Sequence, residues 1–250
     1  MIPYFEQPVL WVGRRPFPAF SILLILAVLA GIAIVLKRAR RQQMDRDLMF
    51  RMSFWAIASG LAGAHAAKMV MDSTPQFLAD PLIVFQPGGI RSLGGFIGGL
   101  LGAIAYCRLR GISLVETFRL LDVMSFALPF AWMIGRLGCF LAHDHRGYFS
   151  TSWIAVRFPE GPRYDLGLIE FLFLMGMSAL FLWLDRTPRT VGFFFGLFGL
   201  GYGAFRTWLD TLHLQPFRFY GGLFGCLIGL CGWIAMQRLA RKTYSDERDS

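Results

Sequence analysis

The sequence predicts an all-α, polytopic integral membrane protein with about seven spanning helices. Three observations carry that expectation. Of 250 residues, 55% are hydrophobic, and the mean hydropathy is +0.51. Charged residues make up 16%, well under the roughly 25% of soluble domains. Lys and Arg gather just outside apolar runs, as topology-setting charges do. The net charge of +9 therefore reads as membrane topology, not nucleic-acid binding. The most basic stretch, residues 37–47, is short and carries no interleaved aromatics. No long polar linker interrupts the chain, so a single integral domain over residues 1–250 is expected.

Taken in order, residues 1–16 form a short amphipathic lead whose Tyr4, Phe5 and Trp11 suit a membrane interface. Spans are expected near residues 17–36, 49–70, 88–109, 114–141, 166–184, 191–209 and 219–237. The first is long enough to cross a bilayer and lacks an Ala-x-Ala-like exit, so no cleavable signal peptide is expected. The second carries Gly60, Ala62, Gly63, Ala64, Ala66 and Ala67, small residues that permit close helix approach. Residues 72–87 hold no Lys or Arg and read as external, whereas Arg108 and Arg110 mark the cytoplasmic end of the third span. The fourth span contains Arg119, Asp122 and Pro129. Residues 142–165 form the longest external segment, yet include Arg146, Arg157 and Arg163, against the positive-inside trend; external arginines suit an anion. Arg186 and Arg189 follow the fifth span, and Arg238, Arg241 and Lys242 the seventh, with a polar, frayed tail from Thr243. This alternation places the N-terminus outside and the C-terminus in the cytoplasm.

Ionisable residues at apolar span ends are functional-site candidates, because charge is expensive in hydrocarbon. Three clusters fall at external ends. The first is Arg136 with His143, Asp144 and His145, inside the stretch Gly135-Arg136-Leu137-Gly138-Cys139-Phe140-Leu141-Ala142-His143-Asp144-His145-Arg146-Gly147. The second is Arg163, Asp165 and Glu170; the third is Tyr202, Arg206, Asp210 and His213, spaced to share one helix face. Guanidinium groups fork onto phosphate oxygens, and histidines beside an aspartate suit proton transfer. The residues thus point to an outward-facing anionic-lipid site with acid/base groups. The four cysteines (Cys107, Cys139, Cys226, Cys231) form no Cys-x-x-Cys pair, so neither a disulfide framework nor structural zinc is expected. No cofactor is implied. His143 and His145, two apart, point to different faces of a regular helix, so no metal site is evident.

Several motifs in order resemble the prolipoprotein diacylglyceryl transferase family. They are Pro75-Gln76-Phe77-Leu78-Ala79-Asp80-Pro81, the glycine pairs at Gly88-Gly89 and Gly94-Gly95, Asp122 and Leu128-Pro129-Phe130 leading to Gly135-Arg136-Leu137-Gly138, Pro162-Arg163 through Glu170, and Gly201-Tyr202-Gly203-Ala204-Phe205-Arg206. The resemblance implies a bacterial inner-membrane transferase with its site toward the outer face. Such an enzyme moves diacylglycerol from phosphatidylglycerol to the lipobox cysteine thiol of a preprolipoprotein, within membrane lipids and without nucleic acid. By position, Arg136 and Arg206 would hold the phosphate, with Glu170, Tyr202, Asp210 and Arg163 in support. The chain departs from the family where Leu93 stands for a loop histidine, Cys139 for an asparagine, and Ala142-His143-Asp144 for Asn-Gly-Glu. The base would then come from His143 or His145, oriented by Asp144, with Arg206 assisting the chemistry. The alternative is a catalytically altered homologue that binds phosphatidylglycerol or serves another acceptor.

Overall fold

The computed structural model describes residues 1–72, 91–213 and 219–248. Among these residues the chain is mostly helical. The helices are α1 (Ala19–Arg41), α2 (Arg46–Asp72), α3 (Ser92–Leu109), α4 (Leu114–Ala142), α5 (Leu166–Leu184), α6 (Phe193–Asp210) and α7 (Phe219–Arg248). Four of them, α1, α3, α4 and α5, are long and apolar enough to cross a membrane. The expected external segment at 72–87 lies outside the described residues, apart from the last residue of α2, and so does the start of the third expected span.

Helix ends follow local chemistry. Asp45 opens α2, its carboxylate accepting from the backbone N–H groups of Asp47 and Leu48 at 2.8 and 3.2 Å. Asp165 does the same for α5 by accepting from the Leu168 N–H at 3.2 Å. α1 continues to Arg41 because Arg38, Arg40 and Arg41 occupy its last turn, where cations favour the negative helix end. The tail expected to fray from Thr243 instead continues as helix to Arg248.

Strands were not part of the all-α expectation. The lead holds a hairpin of β2 (Val9–Val12) and β3 (Arg15–Pro18). The segment after α4 supplies β4 (Arg146–Phe149), β5 (Val156–Phe158) and β6 (Gly161–Asp165), and β1 (Ile2–Pro3) joins them in the order β1-β5-β6-β4. The physical reason is backbone polarity: chain leaving a helix must pair its N–H and C=O groups, and a small sheet does so. β5 shows the matching alternation, with Val156 and Phe158 buried and Arg157 exposed.

The chain divides into two compact units, Leu36–Leu121 and Met1–Val35 with Asp122–Ser250. In the first, α2 and α3 pack backbone to backbone. A Cβ on Gly63 would stand 2.5 Å from the Gly94 carbonyl oxygen, and one on Gly98 2.5 Å from that of Ser59, so only glycine fits. In the second, α6 and α7 cross in the same manner where a Cβ on Gly199 would lie 2.5 Å from the Gly229 Cα.

Among the described residues, two apolar clusters in the second unit are well defined. Phe126, Phe181 and Phe194 interlock, with ring centroids 5.0 to 5.9 Å apart. Nearby, buried Asp122 accepts the backbone N–H of Phe195 at 3.0 Å in the first turn of α6. Leu166, Ile169 and Leu209 form the other apolar cluster, packed against Ile154, Tyr164, Phe205 and Leu212. α5 is the more central helix, half of its apolar window being buried against 11% for α1. Leu24, Ile25, Leu26 and Leu29 of α1 stay exposed, as a lipid-facing surface requires.

Candidate functional site

Glu170, one turn into α5, is 1% exposed and lies in apolar helix. A carboxylate at such a place must be fully paired, and its partners come from two other helices. From α4, Arg136 Nε forms an ion pair with Oε1 at 2.8 Å and Trp132 Nε1 donates to the same oxygen at 3.0 Å. From α6, the Tyr202 hydroxyl donates to Oε1 at 2.6 Å and Arg206 donates to Oε2 at 3.0 Å. Arg206 also reaches Asp210, one turn on, at 3.0 Å. The helical steps 132 to 136 and 202 to 206 to 210 put each set on one face. Five expected site residues, Arg136, Glu170, Tyr202, Arg206 and Asp210, are therefore brought together. Two arginines against two acids leave the cluster neutral, while each guanidinium keeps further N–H groups for an anion.

Trp132 belongs to this centre and was missed. Its ring also lies under the Arg136 guanidinium, 5.2 Å from centroid to carbon. The available signal was its position four residues before Arg136.

The α4 exit holds the histidines. The helix stops at Ala142, and His143 turns the chain with a left-handed φ of 51°. Its ring is buried among Tyr4, Phe5, Phe140 and Phe158, at centroid distances of 4.5 to 5.6 Å. Its Nδ1 meets Asp165 Oδ2 at 2.6 Å, and its Nε2 is buried with no hydrogen-bond partner among the described residues. Burial pushes the Asp165 carboxyl above its ordinary range, although the His143 contact and the Leu168 and Gly167 N–H groups pull the other way. Asp144, expected to orient His143 or His145, bonds His145 Nδ1. Asp144 is exposed and His145 half-buried, and both lie near the buried Cys139 sulfur. That sulfur accepts from Arg136 NH1 at 3.6 Å, which links the α4 exit to the Glu170 centre. Arg163 lies apart from both groups, stacked 3.6 Å over the Phe149 ring and donating to the Gly147 carbonyl at 3.4 Å.

Fold and site together define an integral membrane protein whose buried centre is a carboxylate shared by arginines of two helices. A family profile described as prolipoprotein diacylglyceryl transferase matches residues 8–236, and the chain belongs to that transferase family. Three relatives, each called phosphatidylglycerol–prolipoprotein diacylglyceryl transferase, illustrate the similarity. The protein of Frankia alni is 28% identical over 86% of the chain, and that of Aliivibrio fischeri 27% over 95%. The protein of Vibrio vulnificus is 32% identical over 76% of the chain. The match covers 59% of the Frankia protein's own length, 83% of the Aliivibrio protein's and 69% of the Vibrio protein's.

Proposed function

We propose that this protein transfers the diacylglyceryl group of phosphatidylglycerol to the lipobox cysteine thiol of preprolipoproteins. The observation that carries the reading is the convergence of Arg136 and Arg206, from separate helices, on one buried carboxylate. Glu170 holds the two guanidinium groups in fixed orientation without using all their donors, and fixed donors aimed at a developing anion lower a barrier without reorganisation. In the reaction the acceptor thiol loses its proton and its sulfur bonds to the glyceryl carbon. The carbon–oxygen bond to phosphate breaks, the oxygen keeps the electron pair, and glycerol phosphate leaves between the arginines.

The polar groups that suit thiol activation are Asp144 and His145, which bond each other and lie within 4.8 Å of the Cys139 sulfur that Arg136 reaches. His143, enclosed by four aromatic rings and bound to Asp165, acts as a positioning residue for the α4 exit. Arg163 supports the external sheet and contributes positive charge toward arriving headgroups. The remaining parts of the reading are a single integral domain of seven spans in the bacterial inner membrane, with the N-terminus and site outward. Basic residues at the end of α1 and after α5 support that orientation.

The test is transfer by purified protein in detergent, supplied with phosphatidylglycerol and a lipobox peptide bearing a free cysteine. Mass spectrometry is expected to find a diacylglyceryl thioether that disappears in Arg136→Ala and Arg206→Ala. Phosphatidylglycerol binding without adduct would overturn the reading in favour of a homologue with another acceptor.

A further inference from the structure

Cys139, Asp144 and His145 come from two local structures, the last turn of α4 and the turn that follows His143. One ligand atom from each lies within 4.8 Å of the other two. We propose that these three residues bind a thiophilic divalent cation, zinc by the donor set, and that its fourth position receives the acceptor thiol. The proposal deepens the transferase reading and rests on it for the identity of the acceptor.

The donor set is the first argument. One sulfur, one imidazole nitrogen and one carboxylate oxygen suit a borderline-soft ion that accepts four tetrahedral ligands. Three protein ligands leave one position open, the pattern of catalytic rather than structural zinc. Ligand bonds of ~2.0–2.3 Å put neighbouring ligand atoms closer than the 4.8 Å within which they now lie, so the three would draw in around the ion. Asp144 is exposed and His145 half-buried, and ligation would exchange their mutual contact for bonds to the ion, whereas buried Cys139 is fixed on the helix.

Charge is the second argument. Arg136 and Arg206 are already matched by Glu170 and Asp210. Binding would convert the Cys139 thiol to a thiolate, its proton passing to solvent, and the thiolate and the Asp144 carboxylate would together match the charge of a divalent cation. Arg136 NH1, 3.6 Å from the Cys139 sulfur, provides the kind of N–H donor that steadies a ligating thiolate.

The third argument is chemical need. A thiol that ligates zinc is deprotonated outright. The acceptor thiol would bind the cation through sulfur, its proton would pass to solvent at the exposed side of Asp144, and the bound thiolate would attack the glyceryl carbon. The thioether product is a weak ligand and would leave. Asp144 and His145 then activate the thiol as ligands of the ion, and no separate base is required.

The experiment uses the full-length protein in detergent, stripped with a chelator and titrated with Co²⁺ as a spectroscopic substitute for zinc. A tetrahedral site with one thiolate gives visible d–d bands and a sulfur-to-cobalt charge-transfer band in the near ultraviolet. Both are expected to saturate at about one equivalent, as a single four-coordinate site requires. Cys139→Ser is expected to lose the charge-transfer band, and His145→Ala to weaken Co²⁺ binding by at least tenfold. A lipobox peptide with cysteine, but not the same peptide with serine, is expected to intensify the charge-transfer band. Absence of bands in the unsubstituted protein, or an unchanged charge-transfer band in Cys139→Ser, would overturn the site. Bands that ignore the cysteine peptide would overturn its role in thiol binding. The transfer assay is run in parallel on chelated protein. Full transfer without metal leaves the transferase reading intact and defeats this proposal, whereas cobalt bands without transfer do the reverse for the transferase reading. Melting temperatures of the two variants within a few degrees of the parent establish that loss of bands is not loss of fold.

Discussion

Trp132 and Arg136, one turn apart on α4, converge on a single atom, Oε1 of Glu170, the indole by a hydrogen bond and the guanidinium by an ion pair. The indole fixes where that oxygen sits, and the guanidinium is set by the oxygen and by the ring beneath it. Trp132→Phe keeps the ring and removes the N–H. It is expected to cost about 1 kcal/mol of stability, the net worth of one hydrogen bond, and to lower transfer without abolishing phosphatidylglycerol binding. Thermal melting and adduct yield, measured on the same preparation, check this.

Removing the carboxylate is a larger change. Glu170→Ala leaves two arginines buried without their shared partner. Breaking a buried ion pair on one side costs about 3–5 kcal/mol, so a lower melting temperature and loss of transfer are expected together. Glu170→Gln, which retains size and one acceptor oxygen, is expected to be better folded than Glu170→Ala yet still inactive. Equal melting temperatures for all three proteins would contradict the central place given to this residue.

Lysine substitution separates charge from shape. Arg206→Lys keeps the cation but loses the fork that joins Glu170 to Asp210. Transfer is expected to fall about 10²–10³-fold, the usual loss for one preorganised donor at a developing anion. Near-parental rates in the lysine variant would mean that charge alone suffices.

The pair His143–Asp165 has a pH signature. Burial raises the Asp165 carboxyl, and the His143 contact opposes that rise. In His143→Phe the opposing contact is gone, so the folded-state value climbs further above the unfolded one. A raised carboxyl binds more protons folded than unfolded, so its stability contribution is complete below the unfolded value and is lost as pH rises through the folded one. His143→Phe is therefore expected to melt lower than the parent at neutral pH, with the deficit shrinking as the solution is acidified. Melting curves across that range, in one detergent, decide it.

Helix crossings give a final prediction. Gly199→Leu places a side chain where even a Cβ lies 2.5 Å from the Gly229 Cα. Overpacking of this kind costs about 1–3 kcal/mol. Gly176→Leu, on α5 where a Cβ meets nothing within 4 Å, is the control and is expected to be near neutral.

The spans were legible because hydrophobicity over about twenty residues is a strong, local signal. The expected bounds 166–184 match α5 in full, and 114–141 match α4 to one residue. The Tyr202, Arg206 and Asp210 face was legible for the same reason, since helical spacing is read directly from residue numbers, but His213, expected on that face, falls past the end of α6 in a bridge to Gly147. The pairing of histidines was not. His143 and His145 are two residues apart, and which aspartate each takes depends on the left-handed turn at His143 and on β6. Trp132 looked like any other aromatic in an apolar helix, because nothing local announces that Glu170, 38 residues on, lies against it. The β-sheet is hard to read from sequence because its strands are two to five residues long and β1 pairs with β5 more than 150 positions away.

That last pairing bears on how the molecule is made. Ile2 hydrogen-bonds Ala155 at 2.8 Å and lies beside Val156 in parallel register. β1 must therefore wait for β5, unmatched, while α1 to α4 are synthesised and inserted. Closing so long a loop carries an entropy penalty that grows only slowly with length, so the delay is one of timing more than of equilibrium. During biogenesis the edge of β1 thus stays open until the segment beyond α4 emerges.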